Sequence, residues 1–159
     1  VGSITDERKL YVRDRFLNSI SSLTYPHDFK LIDTSSWWHI PTDIETITEG
    51  RIQLRDYFLK GDYDYFLAVD SDVIIPPNSI EMLIAHNKDI VSFKVHFLKN
   101  EVEVPAAWKY RFEKGVKGFT WEELDNKGLI KVWGGSIAIS LIKRKVCNIS
   151  PLLISKIVE

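Results

Sequence analysis

Tyr65-Phe66-Leu67-Ala68-Val69-Asp70-Ser71-Asp72 decides how this chain is read. Five apolar residues, aromatic or branched in the main, form a run too short for a helix and suited to a buried strand. Two carboxylates then follow, one residue apart. Pro76-Pro77-Asn78-Ser79-Ile80-Glu81 comes next and reads as a helix start, with Asn78 and Glu81 as a capping pair. An open α/β sheet binds its ligands at the carboxyl ends of its strands. Paired acids there suit a hard divalent cation, which is most useful when it also holds phosphate oxygens. Asp70 and Asp72 are therefore the candidate metal ligands of a diphosphate site.

Outward from this stretch the pattern alternates. Val1 to Thr5 reads as the end of a first strand, and Asp6 to Leu23 has helical spacing through Leu10, Phe16, Leu17, Ile20 and Leu23. Phe29 to Ile32 is a second strand, closed by Asp33-Thr34-Ser35-Ser36. Trp37 to Thr46 reads as a loop, and Ile47 to Lys60 as a helix stopped by Gly61. Asp89 to Val95 supplies a further strand. Strand and helix in strict alternation predict a mainly parallel sheet with helices on both faces.

Past Val95 the pattern is mixed. A strand is expected around Trp108-Lys109-Tyr110-Arg111-Phe112, and a capped short helix at Thr120-Trp121-Glu122-Glu123. Leu129 to Val132 and Ile137 to Ile142 read as strands around the tight loop Trp133-Gly134-Gly135-Ser136. A helix is expected from Lys143, whose neighbours Arg144 and Lys145 read as a solvated basic start. The expectation is one domain over residues 1–159. Residues 1–95 form its nucleotide-binding half, and 96–159 an antiparallel half on the acceptor side.

Composition narrows the function. The chain has 159 residues, of which 45% are hydrophobic, enough for a substantial core. Its 21 Lys+Arg nearly balance 22 Asp+Glu, which argues against a general nucleic-acid surface. One cysteine, Cys147, excludes an internal disulfide and fits a reducing compartment. No apolar run is long enough to span a membrane. A cytoplasmic location is expected, host cytoplasm if the source is viral. Asn148-Ile149-Ser150 formally matches a glycosylation acceptor.

Two stretches resemble the GT-A glycosyltransferases. The first is Glu49-Gly50-Arg51 through Lys60-Gly61-Asp62-Tyr63-Asp64 to Asp70-Ser71-Asp72-Val73-Ile74. An arginine-bearing helix there ends in glycine and is followed by a tyrosine-rich strand, an Asp-x-Asp motif, a proline and a helix. The second is Trp133-Gly134-Gly135-Ser136 through Lys143-Arg144-Lys145-Val146, which looks like the family's glycine-containing strand and basic pair. The likeness covers roughly residues 1–146 and is to the compact archaeal and archaeal-virus type. It implies a metal-dependent transferase using Mn²⁺ or Mg²⁺ and a nucleotide-diphosphate-sugar donor, with a glycan, protein or lipid acceptor.

Residue by residue, the resemblance implies that Asp72 ligates the metal directly and that Asp70 faces the ribose or a metal-bound water. Ser71 accompanies them. Asp33 would contact base or ribose, against a turn role with Thr34 and Ser35. Arg51 would reach the base or ribose, against a solvated helix position, and Thr5 would offer hydroxyl or backbone contacts. Gly134 and Gly135 would bring backbone close to the sugar or acceptor through positive φ, against a bulge or hairpin turn. Trp133 would offer a ring face to a sugar. Asp125 is the candidate catalytic base, against turn chemistry in Asp125-Asn126-Lys127-Gly128. His96 reads as a surface histidine or an extra metal ligand, and Trp37-Trp38-His39 as packing or an acceptor wall.

Two sequence features depart from the family. Ile52 replaces the usual asparagine, and no acidic helix motif follows the glycine stretch. The rival readings are a non-catalytic binding module for nucleotide-sugar or glycan on the same scaffold, and an Asp-x-Asp phosphatase with Asp70 as nucleophile.

Overall fold

The computed structural model describes residues 1–37, 42–99, 102–112, 115–125 and 127–149. Trp38, His39, Asn126 and Ser150, named above, lie outside the described residues. The chain opens with β1 (Gly2–Thr5), a 3-10 helix (Glu7–Val12), α1 (Arg13–Ser21) and β2 (Lys30–Asp33). α2 (Asp43–Lys60), β3 (Tyr65–Val69), α3 (Ser79–Ala85) and β4 (Ile90–Ser92) complete the alternating part. Then come β5 (His96–Lys99), β6 (Val102–Pro105), β7 (Ala107–Phe112), β8 (Gly115–Gly118) and α4 (Trp121–Leu124). β9 (Gly134–Gly135), β10 (Ile139–Lys143) and α5 (Arg144–Ile149) follow.

The main sheet has five strands in the order β2-β1-β3-β10-β4. β1 pairs in parallel with β2 and with β3, while β10 pairs antiparallel with both β3 and β4. The sheet is therefore mixed α/β, with β1 to β4 running one way and β10 inserted against them. This corrects the expectation that antiparallel strands are only appended at the end. β3 and β4 are separated in the sheet, and the apolar run of β10 fills the gap between them.

Side chains alternate across the sheet as a strand's period of two requires. On one face Leu67, Val69, Leu141 and Val91 pack with Phe16 and Ile20 of α1 and with Ile80 and Leu83 of α3. On the other, Phe66 and Ile142 pack with Leu54 and Phe58 of α2 and with Cys147 of α5. Helices therefore cover both faces, as the alternation predicted. The remaining strands form a β5–β6 hairpin and a small antiparallel sheet, β8-β7-β9.

Several boundaries differ from the sequence reading. Residues 7–12 wind as 3-10 rather than α: Lys9 N–H donates to the Asp6 carbonyl, and no residue there is buried to favour a full helical turn. α2 begins a turn earlier than expected because Thr42 Oγ1 accepts from Glu45 N–H at 3.2 Å. Asn78 makes no side-chain cap. Its expected partner Glu81 instead accepts from Thr24 Oγ1 at 2.6 Å, and Ser79 closes the turn by donating to the Pro76 carbonyl. Leu129 to Val132 forms no strand, and both of these end residues are exposed.

Arg144 is not a solvated helix start. Its guanidinium donates to the carbonyls of Leu59, Gly61 and Tyr63 at 2.7, 2.8 and 3.1 Å, and so closes the C-terminal end of α2. Among the described residues, no helix is long and apolar enough to cross a membrane.

Candidate functional site

The strand order creates the site. From β1 the chain crosses through α1 to β2 on one side. From β2 it crosses through α2, on the opposite face, to β3 on the other side. Between β1 and β3 the winding reverses, and such switch points open a crevice at the strands' carboxyl ends. A cleft of about 450 Å³ lies at this edge, lined by Thr5, Asp6, Lys9, Thr34, Arg51, Asp70, Ser71 and Asp72 among others.

Each element delivers its residue for a local reason. Asp70 follows β3 directly, and its N–H donates to the Ala138 carbonyl at 2.9 Å, which ties the motif to the chain entering β10. Val73 N–H donates back to the Asp70 carbonyl at 3.0 Å, turning the chain so that Asp70 and Asp72 share the cleft. Ser71 is buried within that turn. Gly50 lets α2 lie close to β1: a Cβ there would stand 2.9 Å from Ile4 Cδ1. That close approach sets Arg51 against the sheet's rim.

The electrostatics are uneven. Arg51 has a side chain only 16% exposed and approaches Asp70 no nearer than 4.0 Å, outside hydrogen-bond range. Burial lowers the Arg51 pKa, and Asp70 opposes that shift. Asp70 is 49% exposed, yet desolvation by the cleft walls raises its pKa above the ordinary value. Arg51 pulls it back, Asp72 adds to the rise and Lys9 counters it. Asp72 is paired with the ammonium of Lys9. Asp6 and Asp43 are both engaged by Arg8, at 2.7 and 2.9 Å. Thr5 uses its carbonyl twice, accepting from Thr34 N–H and Oγ1 at 2.9 and 3.1 Å, and among the described residues its hydroxyl makes no side-chain hydrogen bond.

Thr5, Arg51, Asp70, Ser71 and Asp72 are therefore brought together. The other expected site residues are not among the residues lining this cleft. Asp33 accepts from Ser35 N–H and Oγ at 3.0 and 2.6 Å, the turn chemistry weighed against a nucleotide role, and these bonds lower its pKa. Gly134 and Gly135 pair with Trp108 and Ala107 of β7. Neither has positive φ, contrary to the expectation. The close approach at Gly135 is to the chain's own Ala106 carbonyl, 3.2 Å from where a Cβ would lie. Asp125 is ion-paired to Lys94 at 2.9 Å, and Gly128 beyond it takes the left-handed φ of 56° that a turn requires. His96 is exposed beside Glu103 and Trp121.

The carboxylate oxygens of Asp70 and Asp72 are hard donors that fit Mg²⁺ or Mn²⁺. Among the described residues, no three His, Cys, Asp or Glu side chains form a ready cage. A cation here would draw its remaining ligands from substrate and water, as Mg²⁺ commonly does. Lys9 was missed by the sequence reading. It lies 63 residues from Asp72 in the chain, and nothing local in the sequence marks a lysine of the 3-10 helix as its partner.

No family model matches the chain, and no curated protein matches it. Among solved structures, the crystal structure of A197 from STIV is similar over 94% of this chain, with a TM-score of 0.53 and 18% sequence identity. The chain spans 66% of the length of that structure. At that identity the likeness speaks to fold alone, and what it supports is the mixed α/β architecture described above.

Proposed function

We propose that the chain is a metal-dependent glycosyltransferase of the GT-A type, moving a sugar from a nucleoside-diphosphate sugar to an acceptor hydroxyl. The observation that carries this reading is the convergence of Thr5, Arg51, Asp70, Ser71 and Asp72, from separate parts of the chain, on one cleft at the sheet's switch point. Asp72 and Asp70 would hold the cation beside the diphosphate. When bound, Mg²⁺ or Mn²⁺ supplies Lewis-acid stabilisation of the departing nucleoside diphosphate. Arg51 lines the cleft, where partial exclusion of water would strengthen its contacts to the donor's oxygens. The Thr5 hydroxyl adds a neutral contact at the base or ribose. Trp133, 55% exposed, offers a ring face to a glycan acceptor.

A binding module for nucleotide-sugar on the same scaffold is the second reading. It takes support from Asp125, the candidate base, being held by Lys94 away from the cleft lining. A thermal-shift panel of nucleoside diphosphates with and without Mn²⁺ tests what the two readings share. Binding at about a hundred times Kd raises stability by about 2.7 kcal/mol, a rise of about 5–10 °C for a chain of this size. The expected outcome is a rise that requires Mn²⁺ and disappears in Asp72→Ala. A rise of the same size in that variant counts against Asp72 as ligand. Donor hydrolysis with Mn²⁺ then separates enzyme from module.

A further inference from the structure

Lys9 has no part in the expected metal site, yet its ammonium lies against the Asp72 carboxylate. Among the described residues Asp72 makes no other side-chain hydrogen bond. Asp70 lines the same cleft wall two residues before it. Lys9, Asp70 and Asp72 line one cleft, so a side-chain cation is already paired with an acid of the expected metal site.

The two cations flanking the acids differ in freedom. Arg51 is enclosed by its helix and the sheet, at 16% exposure. Lys9 and Asp72 are each about one-third exposed, at 34% and 33%. The Lys9 backbone is fixed, since its N–H donates to the Asp6 carbonyl at 3.1 Å and Asp6 is tied to Arg8. Its four-carbon stem is flexible, and an ammonium is a compact charge that rehydrates readily. An exposed single ion pair contributes little to stability, so fold maintenance alone accounts poorly for this pair. A doubly charged ion competes well against one ammonium for the same carboxylates.

Resting on the cation–diphosphate reading of the cleft, we propose that Lys9 is an exchangeable counter-ion. Its ammonium holds the Asp72 carboxylate until a divalent ion arrives, and then turns to the diphosphate oxygens. Lysine is well suited to that second role as a point charge on phosphate. No bond is made or broken; the step is an exchange of ionic partners.

The test is calorimetric titration of the intact chain and of Lys9→Met with Mn²⁺ alone, then with inorganic pyrophosphate at saturating Mn²⁺. Asp72→Asn serves as the control for the metal site, and melting without ligand checks that each variant is folded. Lys9→Met is expected to bind Mn²⁺ about fivefold tighter and pyrophosphate about tenfold weaker than the parent. Mn²⁺ affinity that is unchanged or weaker in Lys9→Met, with parental binding lost in Asp72→Asn, overturns the exchange and leaves the metal site standing. Tighter Mn²⁺ with unaltered pyrophosphate affinity overturns it too, because the ammonium then never reaches phosphate. No Mn²⁺ binding in either protein overturns the exchange together with the reading beneath it.

Discussion

Asp6 shows how much one side chain beside the cleft is asked to do. It caps the 3-10 helix by accepting from Arg8 N–H at 2.8 Å, and it also holds the Arg8 guanidinium. The hydrogen bonds from Arg8 lower its pKa below the ordinary 3.8. A carboxyl with a lowered folded pKa adds stability above its unfolded pKa and loses it as pH falls through the folded value. Asp6→Asn keeps a capping oxygen but gives up the charge. It should therefore cost up to about 1 kcal/mol at pH 7, a drop of about 2–4 °C in melting temperature. The gap between variant and parent should begin to narrow below about pH 4, where the unfolded parent takes up its proton, and should close once the pH falls through the lowered folded value. Melting curves of both proteins from pH 7 to pH 3 check this, and a gap of the same size at pH 3 as at pH 7 would reject the ionic account. Legibility at this scale follows sequence distance. Asp70 and Asp72 could be read because both acids sit at the end of their own strand. Lys9 and Arg144 could not, because their partners come from remote parts of the chain, Asp72 in one case and the end of α2 in the other.

At the scale of elements, the contact of α2 with β1 sets the position of Arg51. Gly50 faces Ile4, with Cγ1 3.1 Å and Cδ1 2.9 Å from where a Cβ would be built. Gly50→Ala gains up to about 1 kcal/mol of helix propensity and asks only the end of Ile4 to shift. Gly50→Val adds branches that α2 can accommodate only by backing away from β1. It should destabilise the chain by about 1–3 kcal/mol. It should also carry Arg51 away from Asp70, weakening nucleoside-diphosphate binding in the presence of Mn²⁺, while Gly50→Ala binds nearly as the parent does. Titration of folded protein at a temperature well below both melting points separates the two effects. Equal affinity in Gly50→Val and the parent would show that helix position does not govern the site. The elements themselves were largely legible, since β3, α1 and α2 carry clean apolar periods. The Thr42-Asp43-Ile44-Glu45 cap was present in the sequence, but the apolar spacing that defined the helix starts only at Ile47. The place of β10 was not legible. A short apolar run looks the same whether it joins a sheet at its edge or between two strands, and only long-range pairing decides.

For the whole molecule, burial is concentrated in the layered half. Both apolar clusters draw on β3 and β10, whereas between residues 96 and 136 the buried apolar side chains among the described residues reduce to Pro105 and Ala106. Exposed Val102, Tyr110, Val116 and Trp133 mark the same contrast. This contrast follows the change in sequence pattern after Val95 only as far as residue 136, because β10 and α5, although later in the chain, belong to the layered part. Local opening costs least where few apolar contacts must be broken. Amides of β3 and β10 should therefore exchange only through global unfolding, while those of β7 and β8 exchange through openings about 2–3 kcal/mol cheaper. Hydrogen exchange followed by mass spectrometry measures both in one experiment. Adding Mn²⁺ and a nucleoside diphosphate sharpens the expectation. Binding at the switch point should slow exchange in peptides spanning Glu7–Val12, the first turns of α2 around Arg51, and Asp70-Ser71-Asp72. It should leave β7 and β8 near their unliganded rates, because those strands make no part of the cleft wall. Protection that instead appears across β7 and β8 and spares the Asp70 loop would move the nucleotide to the other half of the chain. The carboxyl edge of the sheet would then lose its claim to the donor.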